Sequence, residues 1–248
     1  TITPFENSGL YVERTSNGNY LYGVPPSSTA KSVINLLHGV CVIDGSEDVK
    51  TGDVVTLYVN GNAVDSATVI IRGDLHVDGC VNAKDVIRLK AHIADSSVKI
   101  DNKLAADING DGYITKTDLK ALSNLVQSAP VKTEICSNAT KTEYVAGEKF
   151  KSEGVFLKIT YDDGHTYSYA DGFTGSYPSG TCFKAGHTYV DLIHSGLSAR
   201  VSVTVKPAGE GDIVVQEDNV IYYTTPALPA NAGETVDLSL YDVQLSLD

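Results

Sequence analysis

The sequence predicts a multidomain chain: a small α+β domain, a pair of loop–helix units, a β-sandwich and a short C-terminal β segment. Three observations lead to this fold class. Helix and strand signals mix at the start, one pattern repeats at an offset of 33 residues, and period-two alternation dominates afterwards. The corresponding boundaries are 1–73, 74–130, 131–207 and 208–248.

Composition excludes some classes of function. Hydrophobic residues make up 42% of the 248 residues, charged residues 20%, and the net charge is −12. Such an acidic chain lacks the basic surface that nucleic-acid binding needs. No apolar run approaches the roughly 20 residues that cross a bilayer. We expect no nucleic-acid partner and no membrane span in this segment. A first residue Thr1 and the absence of methionine suggest a processed or trimmed product.

The first part, 1–73, mixes one helix with several strands. In "GVPPSSTAKSVINLLHG" the prolines end a strand, Ser27 to Thr29 offer an N-cap, and apolar residues follow at helical spacing. The pair Asn60-Gly61 predicts a hairpin turn, because both residues tolerate positive φ. The predicted strands are "VCVI", "DVVTLYV" and "SATVIIR".

The second part, 74–130, contains the repeat. Asp74 matches Asp107 at the offset of 33, and each loop leads into an amphipathic helix whose apolar residues recur at i, i+3 and i+7. Neither short helix buries its apolar face alone, so we expect the two to pack on each other. The matching apolar positions are Val86, Leu89 and Ile93 in the first helix and Leu119, Leu122 and Val126 in the second.

The segment "DINGDGYITKTD" (107–118) has the spacing of an EF-hand-like calcium loop. Oxygen-bearing side chains stand at positions 1, 3, 5, 9 and 12, and a glycine at position 6 permits the sharp turn. An aspartate closes the loop where glutamate is usual. The predicted ligands, with position 7 acting through its backbone carbonyl, are Asp107, Asn109, Asp111, Tyr113, Thr115 and Asp118.

The upstream copy (74–85) is a weaker calcium loop. Its third position is His76, whose imidazole nitrogen suits a hard cation poorly, and Val77 replaces a small residue at position 4. Either calcium binds with one protein ligand fewer and an extra water, or the loop keeps its shape without an ion. The candidate ligands are Asp74, His76, Asp78, Cys80 through its carbonyl, Asn82 and Asp85.

Four cysteines allow three pairings, and none lies in a C-x-x-C motif. We expect disulfides within each half of the chain, as in a secreted protein: Cys41–Cys80 and Cys136–Cys182. Free thiols are another interpretation. A further alternative is a tetrahedral zinc site, because two closely spaced His–Cys pairs are present: His38 with Cys41, and His76 with Cys80.

The third part, 131–207, alternates as strands do. Apolar side chains stand at every second position around Leu157 and Val203, and Asp163-Gly164 predicts a hairpin turn. Closely spaced turn signals predict a small β-sandwich. The last part, 208–248, reads as a linker followed by the start of a further β domain.

The paired units "GDLHVDGCVNAKDVIRLKAHI" and "ADINGDGYITKTDLKALSNLV" resemble a dockerin, the module that plugs cellulosomal and related surface proteins into cohesin domains. The resemblance implies calcium in both loops and a cohesin-type partner. It also implies partner contacts at loop positions 10 and 11 and on the following helix. These positions hold Ala83, Lys84, Arg88 and Lys90 in the first unit and Lys116, Thr117, Lys120 and Ser123 in the second.

The flanking parts resemble modules of bacterial surface proteins. The segment before the repeat is similar to the α+β segments that lead into dockerin-like repeats, and "TKTEYVAGEKFKSEGVFLKITYDDGHTYSY" resembles a bacterial Ig-like domain. These resemblances imply a secreted or cell-surface bacterial protein. A dockerin that is not terminal in the chain favours a structural role more than usual.

The sequence therefore predicts a non-catalytic protein that attaches to a cohesin-type partner. No motif of a serine hydrolase, zincin or P-loop enzyme is present. One alternative is a calcium-rigidified spacer within a large adhesin, in which the neighbouring domains of the same protein are the partners. Another is a carbohydrate-binding β-sandwich, because tyrosines are frequent in "TYSYADGFTGSY".

Overall fold

The computed structural model describes residues 1–45, 47–137 and 139–207, and the backbone of two further strands at 213–215 and 221–223. Along the described chain a mixed sheet with one short helix is followed by a helical pair and then by several small β-sheets. We call these the lead-in unit, the helical pair and the β unit. No helix among these residues is both long and apolar enough to span a membrane.

The lead-in unit contains β1 (Tyr11–Thr15), β2 (Gly18–Tyr22), α1 (Ala30–Ile34), β3 (Val40–Asp44), β4 (Val54–Val59) and β5 (Asn62–Val69). Its strands form one sheet in the order β1-β2-β5-β4-β3, in which only β2 and β5 pair in parallel. The turn between β4 and β5 lies at Asn60 and Gly61, with φ angles of 52° and 78°. These left-handed values confirm the predicted hairpin.

The helix of the lead-in unit is shorter than its pattern predicted. Thr29 is the N-cap and accepts a hydrogen bond of 3.1 Å from the N–H of Ser32. The helix ends at Ile34, so the buried Leu36 and Leu37 lie just after it. Their N–H groups bond three residues back, which tightens the final turn and directs the chain into β3.

The helical pair contains α2 (Ala83–Ala94), α3 (Lys103–Ala106) and α4 (Lys116–Gln127). Leu89 and Leu122, at equivalent repeat positions, are both fully buried in one core. Tyr22 from β2 and Ile70 just after β5 belong to the same core. The two helices therefore pack on each other, as the repeat predicts, and also on the lead-in sheet.

The β unit contains β6 (Pro130–Ser137), β7 (Glu143–Val145), β8 (Phe156–Tyr161), β9 (Thr166–Tyr169), β10 (Thr174–Ser176), β11 (Tyr189–His194), β12 (Leu197–Ser202) and β13 (Thr204–Lys206). Two antiparallel sheets, β6-β8-β9 and β10-β11-β12, and a parallel pair, β7 with β13, contribute to one core. The predicted turn at Asp163-Gly164 joins β8 to β9. The immunoglobulin-like identity of this unit stays a prediction.

The C-terminal prediction falls mostly outside the described residues. Within 208–248, the structure describes only β14 (Ile213–Val215) and β15 (Ile221–Tyr223), which pair as antiparallel strands. The predicted linker and further domain therefore stay predictions.

The three units contact one another directly. Phe156 of β8 and Ala170 belong to the core of the lead-in unit, and the Phe156 ring lies 5.6 Å from that of Phe5. After α4, Ala129 and Asp162 exchange two hydrogen bonds: the Asp162 N–H donates to the Ala129 carbonyl, and the Ala129 N–H donates to Asp162 Oδ1. Each unit thus supports the placement of the next.

Candidate calcium-binding loops and partner surface

The second loop, 107–118, folds around two carboxylates. Asp118, buried in the first turn of α4, accepts hydrogen bonds from the N–H groups of Ile108 and Asn109 and, at 2.8 Å, from that of Thr115. At the other end, Asp107 accepts bonds of 2.8 to 3.0 Å from the N–H groups of Gly110, Asp111 and Gly112. The carboxylates thus fix both ends of the loop before any ion is considered.

The second loop is open to solvent. Asn109, Asp111 and Tyr113 are exposed, and Asp107 is half-buried. Among the described side chains, none with a positive charge lies within ion-pair distance of its three carboxylates, Asp107, Asp111 and Asp118. Three like charges in one loop repel one another, so a bound cation would relieve this repulsion.

The first loop, 74–85, repeats the frame with two changes. As in the second loop, the buried carboxylate at position 12, here Asp85, accepts from the N–H groups at positions 2 and 3. The first change is that the Nδ1 of His76 lies 3.2 Å from Asp85 Oδ1. The second is Val77, whose φ of 56° is left-handed although its side chain is β-branched.

The first loop is also covered by the lead-in unit. The N–H of Thr51 donates to Asp74 Oδ2 at 2.9 Å, and the N–H of Ser27 donates to the Gly79 carbonyl at 2.8 Å. Asp74 is fully buried, and a Cβ at Gly79 would overlap the carbonyl of Val49. Only glycine therefore permits this close approach of two backbones.

The two loops differ in how well they fit calcium. The second offers three carboxylates with an amide and a hydroxyl, all oxygen donors of the kind that calcium prefers. Its Asn109 and Asp111 are exposed and hydrogen-bonded to each other at 2.8 Å. The first loop has an imidazole at position 3, and that imidazole is engaged with Asp85. The donor set of the second loop fits calcium, and that of the first does not.

An arginine that sequence reasoning missed links the second loop to the lead-in unit. Arg72 donates to the carbonyl of Ile108 at 3.3 Å, and its guanidinium lies 5.1 Å from the ring centre of Tyr22. Burial raises the pKa of Tyr22 to about 12. A side chain at Gly110 would meet the Arg72 guanidinium. No pattern in the sequence indicates this contact, because Arg72 lies outside both loops.

The disulfide prediction is wrong, since all four cysteines are free thiols in the structure. Cys41 is buried in the lead-in core, whereas the sulfur of Cys80 faces the hydroxyl of Ser27 at 3.5 Å. Cys136 packs against the lead-in core, whereas Cys182 precedes Phe183 of the core of the β unit. Neither predicted disulfide forms, because the two cysteines of each pair lie in different parts of the structure.

The zinc alternative also fails. The ring of His38 packs on that of Phe5 at 3.8 Å, and His76 is turned toward Asp85. Across the described parts of the chain, no cluster of metal-binding side chains includes these histidines and cysteines. The four residues therefore do not form the predicted tetrahedron.

The predicted partner-binding residues lie mainly on the open side of the helical pair. Six of the eight are exposed: Ala83, Lys84, Lys90, Lys116, Thr117 and Lys120. The other two are half-buried by local contacts. Arg88 donates to Asp101 at 2.8 Å, and the hydroxyl of Ser123 donates to the Leu119 carbonyl within α4.

An exposed isoleucine on α2 was not among the predicted contacts. Ile87 is 67% exposed and lies four residues after Ala83, on the same helix face. Its repeat equivalent in α4 is Lys120. The two helices therefore present different surfaces, one with an apolar centre and one with a cation. The repeat offset would have revealed this difference.

Two loop–helix units with these loops define a class of paired calcium-loop modules. The model of the family described as "Dockerin type I domain" matches residues 72–127. These residues form a dockerin module, the kind of module that binds calcium and cohesin domains and occurs in secreted or cell-surface proteins. The chain matches no curated protein.

The aromatic cluster of the β unit is occupied by its own contacts. The rings of Tyr161 and His165 stack at 4.2 Å, and the hydroxyls of Tyr161 and Tyr169 share a hydrogen bond of 3.2 Å. Burial raises the pKa of Tyr169 and of Tyr167. These rings border a cavity of about 130 Å³ where all three units meet. These rings therefore pack against one another where the three units meet, and do not form an open surface on which a sugar could stack.

One hydroxyl–imidazole pair in the β unit lacks the geometry of a nucleophile. Ser179 Oγ lies 3.3 Å from His187 Nε2, but Nδ1 of the same ring accepts the N–H of Lys184. A neutral ring that accepts at Nδ1 carries its proton on Nε2, so Nε2 donates to the serine and removes no proton from it.

Proposed function

We propose that this chain attaches the protein that carries it to a cohesin-type domain of a bacterial surface assembly, with calcium held in the second loop. The observation that carries the proposal is the exposure of the predicted partner residues. The lead-in and β units contact the loops and inner helix faces, and leave Lys84, Lys90, Lys116 and Lys120 open.

Charge gives the partner surface its chemistry. The chain has a net charge of −12, yet these four lysines project from the helical pair. A partner with acidic groups facing them would associate faster, and its on-rate would fall with salt. Ile87, exposed among them, supplies the apolar anchor that such polar surfaces need.

Calcium would be held by Asp107, Asn109, Asp111, Thr115, Asp118 and the carbonyl of Tyr113. The ion supplies positive charge that neutralises the loop carboxylates. Because Asp118 is also the N3 residue of the capping box of α4, an ion held by Asp118 would fix the start of the helix that carries Lys116 and Lys120. The proposed attachment is therefore calcium-dependent through the second loop.

A structural spacer is the second candidate function. It is supported by Phe156 and Ala170, which come from the β unit but pack in the lead-in core. A shared core resists bending between the units, so the chain would hold its ends at a fixed separation in a large adhesin. A sugar-binding role has less support because the tyrosines of the β unit stack on neighbouring rings. We expect no catalytic activity from either candidate.

The attachment proposal is tested by measuring the binding of the full chain to a panel of cohesin domains, with calcium and with a chelator. We expect at least one member to bind at micromolar concentration or better in calcium only. Ile87→Asp should abolish that binding, whereas Val64→Asp, a matched change at an exposed position of β5, should not. If no cohesin domain in the panel binds, or if both variants lose binding equally, this surface is not the binding site.

The spacer candidate predicts a different result. Small-angle scattering of the full chain should give the same maximum dimension with and without calcium if the shared core alone fixes the shape. A smaller maximum dimension and a broader distribution of interatomic distances in one of the two conditions would count against a stiff spacer.

A further inference from the structure

We propose that the first loop is an interdomain latch closed by the lead-in unit instead of a cation, so that the chain binds one calcium ion. The inference rests on calcium in the second loop, as proposed above. It does not rest on the cohesin partner. Four differences between equivalent positions of the two loops support it.

The first difference lies at position 1. One oxygen of Asp74 accepts the Thr51 N–H of the lead-in unit at 2.9 Å, whereas all three donors to Asp107 come from its own loop. Asp74 is fully buried, and Asp107 is half-buried. The carboxylate that begins the first loop is thus committed to another unit of the chain.

The second difference lies at position 3. His76 turns its Nδ1 toward the closing carboxylate, Asp85, at 3.2 Å. In the second loop Asn109 makes no bond to Asp118 through its side chain; it donates to Asp111 at 2.8 Å. An imidazole within hydrogen-bond distance of the closing carboxylate competes with a cation for that oxygen.

The third difference lies at position 4. Val77 has a φ of 56°, and its equivalent, Gly110, has a φ of 74°. Glycine adopts this conformation without strain, whereas a β-branched residue does not. Surrounding contacts must therefore hold the first loop in shape, and the lead-in unit provides them.

The fourth difference lies at position 6. Gly79 is buried, and its carbonyl accepts the N–H of Ser27 at 2.8 Å, while Gly112 is exposed. A Cβ at Gly79 would overlap the Val49 carbonyl, whereas a Cβ at Gly112 would meet nothing within 4 Å. The same loop position is a docking point in one copy and a free surface in the other.

Calcium titration of the full chain, first stripped with a chelator, tests the stoichiometry by calorimetry. We expect one ion per chain. Asp111→Asn should weaken its affinity at least about tenfold, and the equivalent change Asp78→Asn should leave it within about twofold. Two ions in the unaltered chain, or a site lost in Asp78→Asn, would overturn the proposal.

A titration without any calcium binding would refute the ion in the second loop and the one-ion stoichiometry with it. The proposed latch is then tested in the absence of metal. In a chelator, Gly79→Ala should melt at least about 5 °C below Gly112→Ala, because both alanines bear the same φ strain but only one meets Val49. Equal melting temperatures would overturn the latch.

If Gly79→Ala does not fold, hydrogen exchange of the unaltered chain in chelator decides the question. The amide of Thr51, which donates into the latch, should exchange at least about a hundredfold more slowly than that of Tyr113. Similar rates at the two amides would show that the first loop opens as freely as the second.

Discussion

The two loops of the helical pair share one spacing but stand in different surroundings. At position 1, Asp107 lies in a loop open to water, whereas Asp74 accepts a hydrogen bond from Thr51, in the turn between β3 and β4 of the lead-in unit. At position 6, Gly112 is free and Gly79 is pressed against another backbone. The same pattern of carboxylates is therefore open to solvent in one copy and engaged in a domain contact in the other.

This difference shows that an acidic loop is first a way of organising backbone N–H groups. In both copies the aspartate at position 12 caps its helix and accepts the same two loop amides. That frame does not depend on metal. The groups that balance the charge of the loop carboxylates depend on the surroundings of each loop. These are protein for the first loop and solvent for the second.

The largest expected effect comes from the core that both copies share. Leu89→Ala and Leu122→Ala should each destabilise the chain by about 3 kcal/mol, because each removes a fully buried side chain at an equivalent position. Urea unfolding of both variants measures this. A loss at one position that is less than half the other would show that the helices do not share the core equally.

The next effect separates the loops by their dependence on calcium. Asp107→Ala should remove the stabilisation by bound calcium, about 2.7 kcal/mol at a hundredfold excess over Kd. Asp74→Ala should lower stability by about 2 kcal/mol equally with calcium and with a chelator, because it leaves buried N–H groups unpaired. Melting curves in both conditions give the comparison. A loss of stability in Asp74→Ala that depends on calcium would contradict this difference between the loops.

A smaller effect is expected where the second loop contacts the lead-in unit. Arg72→Lys should destabilise the chain by about 1 kcal/mol, because lysine loses the planar contacts to Tyr22 and the Ile108 carbonyl. It should also weaken calcium binding. Arg200→Lys removes a similar contact with Tyr189 in the β unit and should leave calcium affinity unchanged. Equal calcium affinities in the two variants would argue against this link.

The smallest effect uses acid to weaken the support of the first loop. The hydrogen bond from Arg14 lowers the pKa of Asp65, in the lead-in sheet, from 3.8 to about 2. Stability from this pair is complete above pH 4 and is lost as pH falls toward 2. Because solvent screens this ion pair, we expect a contribution smaller than those above.

The acid effect is checked by unfolding Asp65→Asn and the unaltered chain between pH 5 and pH 2. The difference in stability between them should shrink as pH falls. Since the lead-in unit holds the first loop, the Thr51 amide should lose its exchange protection in the same range. A constant difference across this range would remove Asp65 as the cause.

Sequence periodicity predicted the local elements of this protein well. The offset of 33 residues indicated both helices and their apolar faces, because helical periodicity is encoded within a few residues. It predicted less about α1, where Leu36 and Leu37 continue a helical pattern beyond the end of the helix. There the packing of the lead-in core overrode the local preference.

The cysteine predictions failed for a similar reason. Counting and spacing suggested pairs within each half, but whether two sulfurs meet depends on which core each strand faces. Cys136 turns toward the lead-in core from the β unit, a contact between segments about a hundred residues apart in the chain. Spacing along the chain carries no information about such contacts.

By itself the sequence determined the dockerin module and the acidic character of the chain, because the module is encoded by residues close together in the chain and the charge by composition. The tertiary structure alone decided that the lead-in unit covers Asp74 and Gly79 of the first loop, whereas the equivalent residues of the second loop are more open. The burial of each loop depends on elements that are distant from it in the chain. Two segments with the same pattern thus acquired different partners.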